Sequence, residues 1–261
     1  MEPLRILSLG TPAVFIDEKP VQIQRRIQRA MLFYLANQAD MVSRSELLAL
    51  FWPEEEEEVA RRHLREALSK LRSDLREAFS KEASDQPEPD LLVTTPDKAG
   101  LNFELVYSDA LEFQRLVDQA GSVPWNRPSN RPLPEAVYQV LLKAIRLWRT
   151  PRFLAGINLP SSIELEMWLT LASQNLERQR GQVIERLADH AVAAGDLEAA
   201  LNWLHRALES DETNEDLHLR VLKTLVTLGR RSEAIKYYTY VQDLIRRELG
   251  APPSVALQSL Y

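Results

Sequence analysis

Arg61, Arg62, Arg65, Lys70, Arg72 and Arg76 stand within residues 60–76 against only Glu66 and Asp74, a local charge of +4 in a chain whose formal net charge is −6. At about 100° per residue, Ala60, Leu64, Ala67, Leu68, Leu71 and Leu75 fall on one arc of roughly 100°. The opposite arc carries Arg62, Arg65, Ser69, Ser73 and Arg76, with Arg61 and Arg72 on its flank. Guanidinium forks match guanine edges and phosphate oxygens, and serines allow a close approach. A helix with this back and this front has the chemistry to enter the major groove of double-stranded DNA. A solvated arginine-rich face is the ordinary alternative, so the elements around the helix decide between the two.

Those elements come in a definite order. The basic helix is expected over residues 59–79. Ahead of it, Ser43-Arg44-Ser45-Glu46 is a capping box, the serine accepting from the amide three residues on while the glutamate reaches back, which starts a helix over 44–51. Trp52-Pro53 interrupts the chain, and Glu54, Glu55, Glu56, Glu57 and Glu58 crowd the first turn of the next helix, where acids complement the positive end of the dipole. Beyond the polar stretch 80–90, Leu91–Thr94 and residues 101–105 flank the turn-rich 95–100 and read as a hairpin, with Lys98 at its tip beside phosphate or minor groove. Capped helix, basic helix and hairpin in that order make a winged helix-turn-helix, and the order favours DNA over solvation. Upstream, residues 4–9, 13–16 and 21–23 alternate with a period of two and read as a small antiparallel sheet. Ile27, Ala30, Met31, Tyr34 and Leu35 then mark an amphipathic helix ending near Asn37.

No strand signal of any strength follows Val106. Residues 110–119 and 135–149 read as helices around the proline-rich 121–134. Residues 195–204 align with 229–238 at an offset of 34, pairing Gly195 with Gly229, Ala200 with Ala234, Leu201 with Ile235, Trp203 with Tyr237 and Leu204 with Tyr238. That period is the tetratricopeptide one: a glycine in the inter-helix turn, an alanine where helices approach closely, and aromatics between pairs.

Other chemistries find little support. With no cysteine there is neither a disulfide nor a thiolate metal site, and a reducing cytoplasm fits. His63, His190, His205 and His218 are too scattered for metal ligands, so no metal or cofactor is expected. Trp125, Trp148, Trp168 and Trp203 read as core. Neither a glycine-rich phosphate loop nor a nucleophile elbow occurs, and no apolar run approaches the ~18 residues of a membrane span, so neither an enzyme nor a membrane role is expected.

Taken together, residues 4–9, the helix over 26–37, Ser43-Arg44-Ser45-Glu46-Leu47-Leu48, Phe51-Trp52-Pro53, residues 60–72 and Ser108-Asp109-Ala110-Leu111-Glu112-Phe113 closely resemble the Streptomyces antibiotic regulatory protein type. So do residues 211–218, Gly229-Arg230-Arg231-Ser232-Glu233-Ala234 and Leu249-Gly250-Ala251-Pro252-Pro253-Ser254. The resemblance implies an OmpR-class winged-helix domain, here 1–105, followed by a tetratricopeptide-like bacterial transcriptional activation domain, here 106–261. An α+β half thus precedes an all-α half. It implies that Arg62, Arg65, Ser69 and Arg72 lie on the recognition surface, that homodimers bind promoter direct repeats, and that RNA polymerase is recruited, with the acids Glu54 to Glu58 as a contact. Their bland reading, dipole complement and solvation, stays open. Two alternatives to the activator also stand: a helical-repeat adaptor whose winged helix does not bind DNA, and the N-terminal part of a longer regulator.

Overall fold

Alternation places Leu4 and Ile6 inward on the first strand, β1 (Leu4–Leu7), and both are fully buried. β2 (Ala13–Ile16) pairs antiparallel with β1 and with β3 (Lys19–Val21). The two-residue turn between β2 and β3, Asp17-Glu18, has φ of 45° and 67°. Two positive φ values in a row match the right-handed strand twist across a tight hairpin. The structure, a computed structural model, describes residues 4–82, 90–121 and 131–259. The proline-rich loop is therefore seen only at its two ends, and Trp125 lies outside the described residues.

The expected helices follow in order: α1 (Arg26–Ala36), α2 (Arg44–Phe51) and α3 (Glu57–Glu82). A second sheet, ordered β4-β6-β5, is built from β4 (Val42–Ser43), β5 (Leu92–Thr94) and β6 (Lys98–Leu101). Here the hairpin differs from its expected register. Its second strand starts at Lys98 rather than at 101, because Thr95 closes a four-residue turn with Lys98, and β6 runs alongside Val42 and Ser43. Gly100 allows this approach: a Cβ there would lie 3.0 Å from Met41 Cγ and 3.1 Å from its Cα. Residues 102–105 form a turn closed by Asn102.

A strand also appears where none was expected. β7 (Val106–Ser108) pairs parallel with β1, giving the sheet order β3-β2-β1-β7. Three residues are too few for alternation to register in sequence, although Val106 and Ser108 do point inward. The next residue, Asp109, opens α4 (Asp109–Ala120) with a buried carboxylate. It accepts from the amides of Ser8 (2.6 Å) and Leu9 (3.1 Å) and from Arg149 Nη1 (3.0 Å). Burial pushes its carboxyl up while these donors pull it back. The segment carrying Arg149 lies on the end of β1, with Arg149, Leu154 and Ala155 donating to the carbonyls of Leu9, Ser8 and Gly10.

Two compact units result: Met1–Arg115 with Leu147–Leu176, and Leu116–Arg146 with Glu177–Tyr261. The first is thus discontinuous in sequence. The second contains α5 (Glu135–Arg146), the latter part of α6 (Ile163–Ala193), and α7 (Leu197–Leu208), α8 (Glu215–Thr227), α9 (Arg231–Leu249) and the short α10 (Val255–Gln258). Its internal repeat is visible down to single hydrogen bonds. Gly195 and Gly229 have φ of 80° and 74°. The pair Gly195 N–H to Val192 O and Asp196 N–H to Ala191 O recurs 34 residues on as Gly229 to Val226 and Arg230 to Leu225. Both ends are Schellman caps, where glycine takes the left-handed conformation at least cost. Ala200 and Ala234 are buried as the close-approach reading requires. Leu201 is buried on α7, which packs on α8, whereas its repeat mate Ile235, on the last long helix, is exposed.

Candidate nucleic-acid interface

The 26 residues of α3 make a rod of about 39 Å. Its start follows from the break before it. Trp52 ends α2 by donating to Leu48 O, a turn closes at Glu55, and the helix begins with Glu57 and Glu58 at its positive end. Ala60, Leu64, Ala67, Leu68, Leu71, Leu75 and Phe79 are all buried, as the 3.6-residue period requires. Ser43 caps α2 as expected, accepting from the Glu46 amide at 3.1 Å. Glu46, expected to reach back, instead accepts from Tyr34 Oη at 2.5 Å, which locks α2 to α1.

On the outer face Arg62, Arg65, Ser69, Ser73 and Arg76 are exposed and lie within roughly 80° of helical arc. Arg61, on the flank, is bonded to Glu57 one turn back, so part of its charge is neutralised within the helix. Arg65 Nε donates to Arg61 O at 3.3 Å. Arg72 does something the sequence did not suggest: its Nη2 donates to Leu92 O (3.1 Å) and Thr94 Oγ1 (2.7 Å), fastening the helix to β5. It is half-buried and braces the wing from behind.

Lys98 is exposed, but it is the first residue of β6 and pairs with Ser43; Pro96 and Asp97 form the tip. The wing therefore brings Lys98 beside the start of α2. Arg44 in that first turn donates from its amide to Asp97 O (2.7 Å) and from Nε to Thr95 O (3.0 Å). Between α2, α3 and the tip lies a hollow bordered by Ser43, Arg44, Ser45, Arg61, Arg65 and Asp97. Arg44, Ser45 and the exposed Lys70 are not among the DNA contacts that the sequence predicts. The Ser43 cap was the signal for the first two, since it fixes which residues stand at the mouth of the helix.

All five acids before and within the first turn are exposed. Glu57 is engaged with Arg61, and Glu55 lies 2.7 Å from His63 Nδ1, while the Trp52 ring packs 6.2 Å from the same imidazole. The other histidines sit in the second unit: His190 stacks on Tyr138 and accepts from the Leu133 amide, and His205 packs edge-on against Tyr237. His218 lies between Tyr237 Oη and Glu212 O, each at 2.8 Å, and burial holds its pKa below the usual value. Among the described residues no group of His, Asp and Glu could hold a metal ion, and no helix is long and apolar enough to cross a membrane.

Comparison with known proteins bears on this arrangement. The whole chain is similar in fold to Mycobacterium tuberculosis EmbR, solved in complex with a low affinity phosphopeptide, with a TM-score of 0.66 and 22% identity. It covers 100% of this chain and spans 64% of that one. No curated protein sequence matches. Residues 108–261, more than half of the chain, match the family profile of the bacterial transcriptional activator domain. The helical unit, the α+β region ahead of it and the family profile agree with the resemblance read from the sequence, and the chain belongs to the bacterial transcriptional activator domain family, a family of transcription regulators and not of enzymes.

Proposed function

We propose that this regulator binds DNA sequence-specifically through α3, as a homodimer on promoter direct repeats, and contacts RNA polymerase. The observation that carries the reading is the division of α3 into a fully buried leucine face and an exposed Arg62, Arg65, Ser69, Ser73 and Arg76 face, with the wing held at a fixed distance by Arg72. Two serines among arginines let the helix backbone sit close to base edges while the guanidinium groups reach guanine or phosphate. In this reading Lys98 and Arg44, which the wing brings beside the start of α2, hold backbone phosphates and set the register.

Affinity per subunit is modest in this reading, because the positive charge is confined to one face and Arg61 is already paired. Four to five phosphate contacts give a slope of about −4 in log affinity against log salt, and two subunits on a repeat about twice that. Selection of bound sequences from a random duplex pool, followed by titration at several salt concentrations, tests it. Flat, salt-insensitive binding to every duplex would instead favour the helical-repeat adaptor. For the acids, replacing Glu54, Glu56 and Glu58 with Gln leaves DNA binding intact and lowers activated transcription in a reconstituted assay. Unchanged activation would leave them as dipole complement alone.

A further inference from the structure

Ile163, Met167 and Leu171 expose 74%, 58% and 60% of their surface, although they follow one another at a spacing of four along α6. At about 100° per residue they form one stripe about 80° wide, directly opposite the face that buries Leu165 and Leu176. Single exposed apolar residues are ordinary; three in register on one helix face are a surface. The stripe is also well held. Ser162 caps α6 by accepting from the Leu165 amide and donates to Leu50 O at 2.5 Å. Trp168 packs edge-on against Tyr34 with ring centroids 5.0 Å apart.

Charge says what could cover it. Glu164 and Glu166, both exposed, lie one on each side of the stripe. Between Arg152 and Arg178 the sequence holds three glutamates and no lysine or arginine. The hydrogen bond from Ser162 anchors the start of the stripe at the end of α2, four residues before the acidic turn that begins at Glu54. Pairing of two copies through this face would set glutamate against glutamate. A basic amphipathic helix, with leucines down one face and lysines or arginines beside them, meets apolar with apolar and acid with base. The stripe exposes on the order of 350 Å², less than half of the ~800 Å² each partner contributes to a standard interface, so such a contact is weak and reversible.

We infer that the α6 stripe, with Glu164, Glu166 and the neighbouring acidic turn, is a docking surface for a basic amphipathic helix of another protein. The inference stands apart from DNA reading, since Ile163, Glu164, Glu166, Met167 and Leu171, the residues its test changes or relies on, all lie on α6 and not on α3. Its test uses the full chain and a fluorescent helical peptide with leucines on one face and lysines flanking them on both sides, read by anisotropy, with a glutamate-for-lysine peptide as control. The lysine peptide is expected to bind, the control not, and Met167→Ser with Leu171→Ser, or Glu164→Lys with Glu166→Lys, to weaken binding about tenfold. Val226→Ser, at an exposed apolar site on α8, is expected to leave it unchanged. Equal binding by all variants, or equal loss with Val226→Ser, would overturn the proposal. So would a stripe variant that changes the sedimentation of the chain alone, which would make a second copy the occupant.

Discussion

Replacing Arg72 by alanine separates the bracing role of this arginine from the DNA contact proposed for the other arginines of α3. In the structure its guanidinium satisfies a buried strand carbonyl, Leu92 O, and a threonine hydroxyl, both on the hairpin. Hydrogen bonds to charged groups contribute about 1.5–3 kcal/mol each when buried. This side chain is partly solvated, so the pair together is taken at about 2 kcal/mol. That loss lowers the melting temperature of the first unit by roughly 4–8 °C. A Thr94→Val partner in a double-mutant cycle shows coupling of about 1 kcal/mol. Arg62→Ala touches nothing inside the fold and leaves the melting curve within about 0.5 kcal/mol of the parent, but lowers the magnitude of the salt slope of DNA binding by about 1. Differential scanning calorimetry and fluorescence titrations read both. If Arg72→Ala melts with the parent while its salt slope falls as in Arg62→Ala, then Arg72 leaves the hairpin to meet phosphate and the bracing argument fails.

Asp109→Asn turns an amide donor toward amides and Arg149 that themselves donate, and is expected to cost about 2 kcal/mol in chemical denaturation, with Asp109→Glu also failing to restore stability in so tight a site. His218 has a pKa held down by burial, so the stability it contributes is present above the unfolded value near 6.5 and is lost as pH falls through it toward the lower folded value. Tyr237, His205, Asp211, Glu212 and Glu215 surround it. Melting of the parent should therefore fall more steeply between pH 7.5 and 5.5 than melting of His218→Gln, and parallel curves would refute this. Gly229→Ala places a side chain in a left-handed cap with open space around it, so it costs about 1 kcal/mol from backbone strain alone. Gly229→Asn costs less, as thermal melts of the two would show.

Much of this organisation was legible because it rests on periodicity and caps. The stripe from Ala60 to Leu75 fixed which face of α3 is buried, the Ser43 cap fixed where α2 starts, and the 34-residue offset located two glycine caps with matching hydrogen bonds. What escaped depended on partners distant in sequence. β7 exists because β1 offers it an edge, a tertiary fact that three residues do not announce. Glu46 left its capping box for Tyr34 because a tyrosine hydroxyl from α1 was in reach, and Arg72 turned to the hairpin for the same kind of reason. The apolar α6 stripe could be read as ordinary core in sequence, since spacing of four says which residues share a face but not whether anything covers it.

The place of β1 between β2 and β7 has a consequence for how the chain is made. A polypeptide that has emerged through residue 105 already holds the whole wing, yet one edge of β1 is bare and the amides of Ser8 and Leu9 await a carboxylate. Only when residues 106–109 arrive does the sheet close, and only with 149–155 do the carbonyls at the end of that strand find donors. An excised 1–105 fragment keeps this adhesive edge permanently, and edges of that kind recruit strands from other copies. A fragment carried through to residue 176 would shield it, making the sheet-containing part soluble on its own only when it takes with it a segment that the sequence assigns to the other half.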